Sequence, residues 1–476
     1  MNTKNLETIE LNYNAALELF EPGFTKFYLG LEPKLNELKQ FLKDANSGGE
    51  NQLEYFKWLD FDYLRKTNET TKKLAADLRS KSYLNLVLMG MGGSGINAMV
   101  LKNALYEFCP KASKKSSINL IIQNNLDTSS MLAKLESISN ELDKTLFVLV
   151  SKSGGTDEVR RSFNISVDFW KSQPGFSWEK LARQLVIITE PARAGKSNFL
   201  HDLAEELKNK TGISPAYLEN DPNIGGRFSM FSPVGMFPAE MMGLDSDALI
   251  SSASAVFNKF TNCNNQDNDI AKLSALDIYL SRQDYQHRYS MVYSDSLEAY
   301  NKFRAQLKGE SLNKTGILST VHIPGIGTVN HHSDLELLLK KNNGLIMEQV
   351  FFAKPFADHS NDDGLDCLKD IQSSLNHQSL LDNHINPLAE YIMQNGAPVI
   401  QRILPKQDEY SVGQALMQDM LGTVVQAGLQ DALGAKEKLD LSIRQWEVER
   451  YKKSLKDVLK IGVNHPIFSK GVRKKT

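Results

Sequence analysis

Two short segments of the sequence combine glycines with hydroxyl groups, as phosphate-binding loops do. Residues 90–95 read GMGGSG and residues 151–156 read SKSGGT, and each segment follows a short apolar run. Glycines let the backbone turn tightly and bring its N–H groups close to an anion, and the start of a helix adds a positive dipole end. Hydroxyls and an ammonium group add further donors. The candidate phosphate ligands are Gly93, Ser94, Ser151, Lys152, Ser153 and Thr156.

Other interpretations of these loops stay open. Gly90, Gly92 and Gly95 also satisfy the GxGxxG pattern of dinucleotide sites. Such a site needs an Asp or Glu near the end of the second strand, but that strand ends here in Gln123 and two asparagines. Each loop could also be a purely structural turn before a capped helix. Lys152 is not a Walker lysine, because the GxxxxGK[ST] spacing is absent.

Three further segments carry groups suited to acid–base or electrostatic chemistry. Arg227 follows Gly226 in GGRFS, where a guanidinium could stabilise negative charge that develops on an oxygen, or form a surface salt bridge. Glu310, in GESLNK, is predicted to lie in a polar turn between a helix and a strand, where an isolated glutamate is usually solvated. His331 and His332 follow a glycine-rich loop and could act as an acid or a base near neutral pH. No neighbouring set of ligands has the spacing of a metal site.

The elements that would position these groups predict an α/β fold. Residues 1–80 have helical periodicity, and apolar runs that alternate with helix-length stretches then indicate buried parallel strands. The predicted strands form two sets: 84–89, 118–123, 146–150 and 185–189, then 289–293, 316–323, 344–352 and 398–404. The polar segment 262–269 is a candidate boundary between the sets.

These patterns predict a series of units along the chain. We expect an N-terminal helical segment (1–60), a first α/β domain (61–260), a second α/β domain (270–435) and a C-terminal helical arm (436–476). A length of 476 residues fits about three units of ordinary size.

Composition excludes several classes of protein. The 55 basic and 57 acidic residues leave a net charge of -2, which gives no electrostatic footprint for nucleic acid or anionic lipid. The three cysteines are widely spaced and suggest neither a disulfide framework nor zinc. The N-terminus lacks the pattern of a signal peptide, and no apolar run reaches the ~20 residues of a membrane helix. We therefore expect a cytoplasmic protein.

Taken together, the motifs resemble the phosphoglucose isomerase family. Its landmarks occur here in the family's order: GMGGS, SKSGGT, GGRFS with SPVG, GES followed by NK, TVNHHS, and QWEVERYK near the end. The resemblance implies two sugar-isomerase (SIS) domains with parallel sheets flanked by helices, a homodimer, and no metal or organic cofactor. It also implies interconversion of glucose 6-phosphate and fructose 6-phosphate through a cis-enediol, a reaction of glycolysis and gluconeogenesis.

The resemblance further implies a role for each residue of the first domain's loops and for the acid–base groups. Ser94 and the loop residues Ser151, Lys152, Ser153 and Thr156 would hold the phosphate. Glu310 would be the base that moves a proton between C1 and C2 of the open-chain sugar, and Arg227 would stabilise the enediolate.

The remaining roles fall late in the chain. His332, supplied by a second subunit, would assist ring opening together with Lys452. Gln445 would contact the sugar. His331 is the alternative to His332 for the catalytic histidine. Two other functions stay open, a non-catalytic sugar-phosphate-binding regulator of the same domain type and a nicotinamide-dependent dehydrogenase.

Overall fold

The computed structural model describes residues 7–47, 55–108, 116–192, 198–312, 320–340, 344–355 and 380–430. Its strands are β1 (Glu10–Asn12), β2 (Asn85–Gly90), β3 (Asn119–Gln123), β4 (Thr145–Val150), β5 (Leu185–Thr189), β6 (Ala216–Glu219), β7 (His287–Val292), β8 (Val321–Ile326), β9 (Leu345–Lys354) and β10 (Val399–Lys406). The helices of the first half are α1 (Asn14–Glu18), α2 (Gly23–Gly30), α3 (Glu32–Asn46), α4 (Phe61–Ser80), α5 (Gly93–Lys102), α6 (Thr128–Glu136), α7 (Asp157–Lys171), α8 (Trp178–Gln184) and α9 (Phe199–Thr211). Those of the second half are α10 (Pro233–Met241), α11 (Ser246–Asn262), α12 (Asp269–Ser281), α13 (Glu298–Leu312), α14 (Leu335–Leu338), α15 (Asn386–Gln394) and α16 (Glu409–Gly428).

The first sheet is parallel throughout and has the strand order β3-β2-β4-β5-β6. Its central strands are buried along their whole length, as expected when helices cover both faces. Gly90, the last residue of β2, pairs with Val150, the last residue of β4. The chain therefore leaves these two neighbouring strands side by side, at the switch point where parallel sheets of this order bind ligands.

The second sheet repeats this arrangement. Its order is β1-β10-β9-β7-β8, and β7 to β10 are parallel. The first strand of the unit, β7, lies between the second and third, as β2 does in the first sheet. The extra strand β1 comes from the N-terminal region and pairs antiparallel with the edge strand β10. The expected α/β class with two parallel sheets flanked by helices is confirmed.

The largest hydrophobic core lies between the two sheets. It joins one face of the first sheet, for example Leu88 and Ile188, to Ile346 and Ile400 of the second. Separate clusters cover the outer faces of the two sheets. Helices α5 and α13, which follow the central strands β2 and β7, pack against each other within this shared layer. Among the residues described, the helices do not combine the length and apolar character that crossing a membrane requires.

The strand predictions are confirmed with small shifts in their ends, and two strands were not predicted. Residues 1–80 were expected to be entirely helical, which is wrong at β1. The polar segment 262–269 leads from α11 to α12 through a short helical turn, Asn265–Asp267. The predicted strand 316–323 begins at Val321 within the described residues. The domain boundaries stay predictions, and the arm 436–476 lies outside the described residues.

Candidate active site

The first glycine turn connects β2 to α5 and is built against a second loop. Gly92 has a φ of 56°, a left-handed conformation that favours glycine, and α5 begins at Gly93. A Cβ atom at Gly93 would overlap the carbonyl oxygen of Gly226. The partly exposed Ser94 therefore stands in the first turn of a helix, next to the backbone that presents Arg227.

The second loop, residues 151–156, begins beside this turn. Ser151 and Thr156 share a hydrogen bond between their hydroxyl oxygens, 2.7 Å apart, across the loop. Thr156 is the N-cap residue of α7, but its side chain makes no capping hydrogen bond. Gly154 has a φ of 61°, and a Cβ atom there would overlap the side chain of Asn198. The loop is thus folded around its own hydroxyls, unlike an ordinary capped helix start.

Lys152 and Ser153 face outward from this loop. The ammonium group of Lys152 lies 4.5 Å from the ring centroid of Tyr55, a cation–π contact. Its backbone carbonyl accepts hydrogen bonds from Thr189 Oγ1 and Glu190 N, both at 3.1 Å. Ser153 is exposed, and its Oγ accepts a long hydrogen bond from Gly155 N at 3.4 Å. The loop backbone is therefore fixed at the end of β5, while a hydroxyl stays accessible.

Arg227 lies in the short helical turn Gly226–Phe228 and is buried, with 1% of its side chain exposed. Its Nε donates to Ser311 Oγ at 2.7 Å, and its Nη1 lies 3.4 Å from Glu310 Oε2. Burial lowers the pKa of Arg227 to about 10, and the carboxylate of Glu310 opposes this shift. The guanidinium consequently remains a cation at neutral pH.

The turn that carries Arg227 is fixed from two sides. Asn97 on α5 donates to Ser229 Oγ at 3.0 Å, and Ser229 Oγ donates to the carbonyl of Gly226 at 2.6 Å. On the other side, the ring of Phe228 stacks on Trp58 with centroids 4.9 Å apart. These contacts orient the buried guanidinium before any ligand binds.

Glu310 lies on the last turn of α13, so the prediction of a polar turn at this position is wrong. The helix continues through GES because Phe303, Leu307 and Leu312 remain buried on its inner side. The carboxylate is 26% exposed, and its Oε1 accepts a hydrogen bond from Gln306 Nε2 at 2.8 Å. The carboxylate is therefore held in place and still open to a ligand.

The sequence-based candidates did not include Gln306 or Ser311. Gln306 Nε2 lies 3.0 Å from the position that a Cβ atom at Gly92 would occupy, so this amide touches both the glycine turn and Glu310. A signal for Gln306 exists in the sequence, because it precedes Glu310 by four residues and such pairs share a helix face. Ser311 follows Glu310 directly, but only the folded structure shows that it faces Arg227.

The contacts bring the two α/β units together at one site. The first unit supplies the glycine turn, the 151–156 loop and Arg227, and the second supplies Glu310 at the end of α13. A carboxylate that could remove a proton thus lies beside a buried cation that could stabilise negative charge on oxygen. The two loops at the nearby sheet edge offer donors for an anion.

Comparison with known proteins decides the family. A family model described as phosphoglucose isomerase matches residues 63–324, which include both loops, Arg227 and Glu310. The chain belongs to the phosphoglucose isomerase family. Among the described residues, every predicted site residue except His331 and His332 lies within the matched range.

Individual relatives agree with this family. A glucose-6-phosphate isomerase of Campylobacter jejuni is 30% identical over 266 residues, covering 55% of this chain and 59% of that enzyme. One of Thermus thermophilus is 26% identical over 409 residues, covering 84% of this chain and 90% of that enzyme. The chain thus spans less than two thirds of the Campylobacter relative that it matches.

Solved structures show the same fold. The crystal structure of a glucose-6-phosphate isomerase from Chlamydia trachomatis has a TM-score of 0.73 at 16% identity, covering 98% of this chain and 91% of that one. The crystal structure of a hypothetical protein from Thermus thermophilus has a TM-score of 0.77 at 23% identity, covering 94% of this chain and 99% of that one.

The two histidines of this phosphoglucose isomerase family member have different surroundings. His331 is half-buried, and its Nε2 lies 2.9 Å from the hydroxyl of Tyr293, with which it shares a hydrogen bond. Burial, followed by the nearby His384 and His332, lowers the pKa of His331. His332 is exposed and makes no side-chain hydrogen bond with the other described site residues. Lys452 and Gln445 lie outside the described residues.

Proposed function

We propose that the protein is an aldose–ketose isomerase that interconverts glucose 6-phosphate and fructose 6-phosphate through a cis-enediol intermediate. The observation that carries this proposal is the pair formed by Arg227 and Glu310, with Nη1 and Oε2 at 3.4 Å, beside a glycine turn at the ligand-binding edge of a parallel sheet. A protein that only bound sugar phosphates would need the loops but not this pair.

The phosphate group of the sugar would bind at the paired loops. The hydroxyls of Ser94, Ser151, Ser153 and Thr156, the ammonium group of Lys152 and the backbone at Gly93 offer donors there. Because phosphate lies far from the reacting carbons, its binding energy can be used to orient the sugar chain.

The proton transfer would occur at the other end of the sugar. Glu310 would take the proton from one of the carbons C1 and C2 and return it to the other. Since the intermediate carries negative charge on oxygen, the preoriented guanidinium of Arg227 stabilises it more than the substrate. The reaction moves a proton and exchanges no electrons with a second reactant, so the proposed mechanism uses no cofactor.

Ring opening and assembly form the second part of the proposal. His332 and Lys452 would transfer protons at the ring oxygen, and Gln445 would contact the sugar. His332 lies between Val329 and Leu337, whose side chains are 65% and 52% exposed. Exposed apolar side chains beside an exposed histidine support a homodimer in which His332 completes the site of the other subunit. The corresponding place in metabolism is glycolysis and gluconeogenesis, and the proposed location is the cytoplasm.

A coupled assay with fructose 6-phosphate tests the reaction. Glu310→Gln nearly preserves shape but removes the base, so turnover should fall by about 10²–10⁴-fold while sugar-phosphate binding survives. Glu298→Gln is the matched control, because Glu298 begins the same helix and pairs only with the exposed Lys302 among the described residues. No turnover by folded wild-type protein would favour the non-catalytic regulator, and retained turnover in Glu310→Gln would assign the base to another group.

Mixed dimers test the shared site. A His332→Ala subunit and a Glu310→Gln subunit are each expected to be inactive alone. If each site takes its histidine from the other subunit, a mixed dimer contains one intact site, and random mixing should restore about a quarter of wild-type activity. No recovery from a mixture shown to exchange subunits would contradict this arrangement.

A further inference from the structure

The second α/β unit contains a group of buried charged side chains that the proposed reaction does not use. Arg304 on α13 binds Glu348 on β9, with Nη2 2.7 Å from Oε1, and its Nε lies 3.1 Å from Asp419 Oδ2 on α16. Further ion pairs extend the group through the unit. We call the whole set the buried charge cluster; its members are Asp277, Arg288, Arg304, Lys308, Glu348, Arg402 and Asp419.

This cluster has more cationic than anionic side chains. Three arginines and one lysine meet three carboxylates among the described residues, and each of them is buried. A buried charge without a counter-charge is unfavourable. Burial, followed by the neighbouring Arg288 and Arg304, lowers the pKa of Lys308 to about 7. The cluster therefore carries a surplus positive charge only when Lys308 is protonated.

A cavity lies directly against Lys308. Its polar lining is formed by both charged and neutral side chains, and its apolar lining includes Leu11, Ile270 and Leu273. The charged and amide side chains that line the cavity are Asp277, Lys308, Arg402, Gln418, Asp419 and Gln426. The cavity has room for about one or two water molecules.

Two donors at this cavity are not satisfied by the described residues. Gln426 is 2% exposed, and its side-chain Nε2 has no hydrogen-bond partner among them. Lys308 has three ammonium protons, and the one hydrogen bond of its side chain to a described residue runs to Asp277 Oδ2 at 3.2 Å. A ligand here must therefore accept hydrogen bonds.

We propose that this cavity is a binding site for one small monovalent anion, of which chloride is the physiological candidate. The surplus positive charge and the unused donors favour an anion over a cation. The cavity has room for a single halide ion, and one surplus charge matches one monovalent anion. Asp277 and Asp419 also line the cavity, but each is paired with two cations: Arg288 and Lys308 for Asp277, and Arg304 and Arg402 for Asp419.

Binding of an anion at this site should depend on the protonation of Lys308. An anion is held most strongly by the ammonium form of Lys308, so its affinity should fall as the pH rises through about 7. The charged and titratable groups that act on Lys308 come from every neighbouring element: Asp277, Arg288, Arg304, His322, Glu348, Arg402 and Asp419. His322 stays neutral here, because burial lowers its pKa well below the usual value.

Thermal unfolding of the full chain tests the site without reference to catalysis. We expect the unfolding midpoint to rise and saturate with sodium chloride, compared with sodium gluconate at the same ionic strength, because a ligand that binds only the folded state stabilises it. Gln426→Leu removes one donor to the anion and should weaken the apparent chloride affinity about tenfold. Gln414→Leu, on the same helix but outside this cavity, should leave the chloride response unchanged.

Bromide locates the ion. Crystals grown in sodium bromide should show an anomalous peak between Lys308 and Gln426, and the peak should be weaker in Gln426→Leu and at pH 9. Identical midpoints in chloride and gluconate, or bromide peaks confined to the protein surface, would overturn the proposal and show that the cavity holds only water. Since neither Arg227 nor Glu310 lines the cavity, either result leaves the isomerase proposal standing.

Discussion

Ser311 offers a direct test of how the cation at the active site is held. It is fully buried on α13, and its Oγ accepts the hydrogen bond from Arg227 Nε at 2.7 Å. The other contacts of the guanidinium with Glu310 are longer, at 3.4 Å to Oε2 and 3.5 Å to the carbonyl oxygen. Ser311→Ala therefore removes the shortest of these contacts without touching the carboxylate.

The size of the effect follows from burial. A buried N–H group that loses its partner costs about 1–3 kcal/mol. If that energy is lost when charge develops on the substrate oxygen, turnover falls by about 5–150-fold, since about 1.4 kcal/mol is a factor of ten. The two loops proposed to bind the phosphate are unaffected, so KM should change little. A fall in kcat with a nearly constant KM is the signature of an interaction made mainly in the transition state.

The control is a second buried serine that performs the same structural task elsewhere. Ser290 Oγ accepts from Arg304 Nη1 at 2.8 Å, and both residues are fully buried. Ser290→Ala should lower the unfolding midpoint about as much as Ser311→Ala while leaving kcat unchanged. Wild-type kcat in Ser311→Ala, or an equal loss of kcat in both variants, would refute the positioning role of Ser311.

Three further predictions follow from the same structure. Lys152→Ala should raise KM for the sugar phosphate by about tenfold with a smaller change in kcat, because a charged hydrogen bond to phosphate is lost. Steady-state kinetics measures both constants, and a loss of kcat alone would contradict this role. Gly93→Ala places a methyl group against the carbonyl of Gly226, so activity and the unfolding midpoint should both fall. Gly30→Ala is the control, because a methyl group there has no atom within 4 Å, and this variant should keep the wild-type activity and midpoint. In chloride-free buffer, the free energy of unfolding should rise between pH 7 and pH 10.5. Lys308 has a pKa of about 7 in the folded protein and 10.5 in the unfolded chain, so the unfolded chain binds more protons in this range. Urea titrations at several pH values should show that the free energy of unfolding of Lys308→Met rises less steeply with pH.

Most of the fold can be predicted from hydrophobic patterning because the central strands are buried on both faces. The run LVIIT of β5, for example, is buried at every residue and is predicted with both of its ends correct. β6 has one fully buried residue in four, and β1 has none in three. Such short edge strands depend on pairing with a partner strand, as Glu10 does with Ile403, and this pairing has no local signal.

The parts of the candidate site that can be predicted from the sequence are those whose residue types indicate a particular backbone conformation. The glycines of residues 90–95 and 151–156 indicate turns at strand ends, and the structure places these turns at the ends of the neighbouring strands β2 and β4. Glu310 shows the opposite case, since Gly309 and the polar residues around it favour a turn locally. Tertiary packing of the helix overrides that preference. The contacts of Arg227 depend on how the two units dock, which no local pattern contains.

The repeated architecture also explains why the site is asymmetric. In the first unit, β2 leads into α5 through GMGGSG, whose glycines and backbone amides suit an anion. At the equivalent junction of the second unit, β7 leads into α13 through YSDSL, which has no glycine and carries the acidic Asp295. Of the two junctions, the first is therefore the one suited to an anion. Helix α13 contributes at its other end instead, because its packing against α5 brings Glu310 and Gln306 to the glycine turn. In the proposed reaction, one copy of the unit would thus supply the anchor for the substrate and the other the base, and the reaction would require the interface between them.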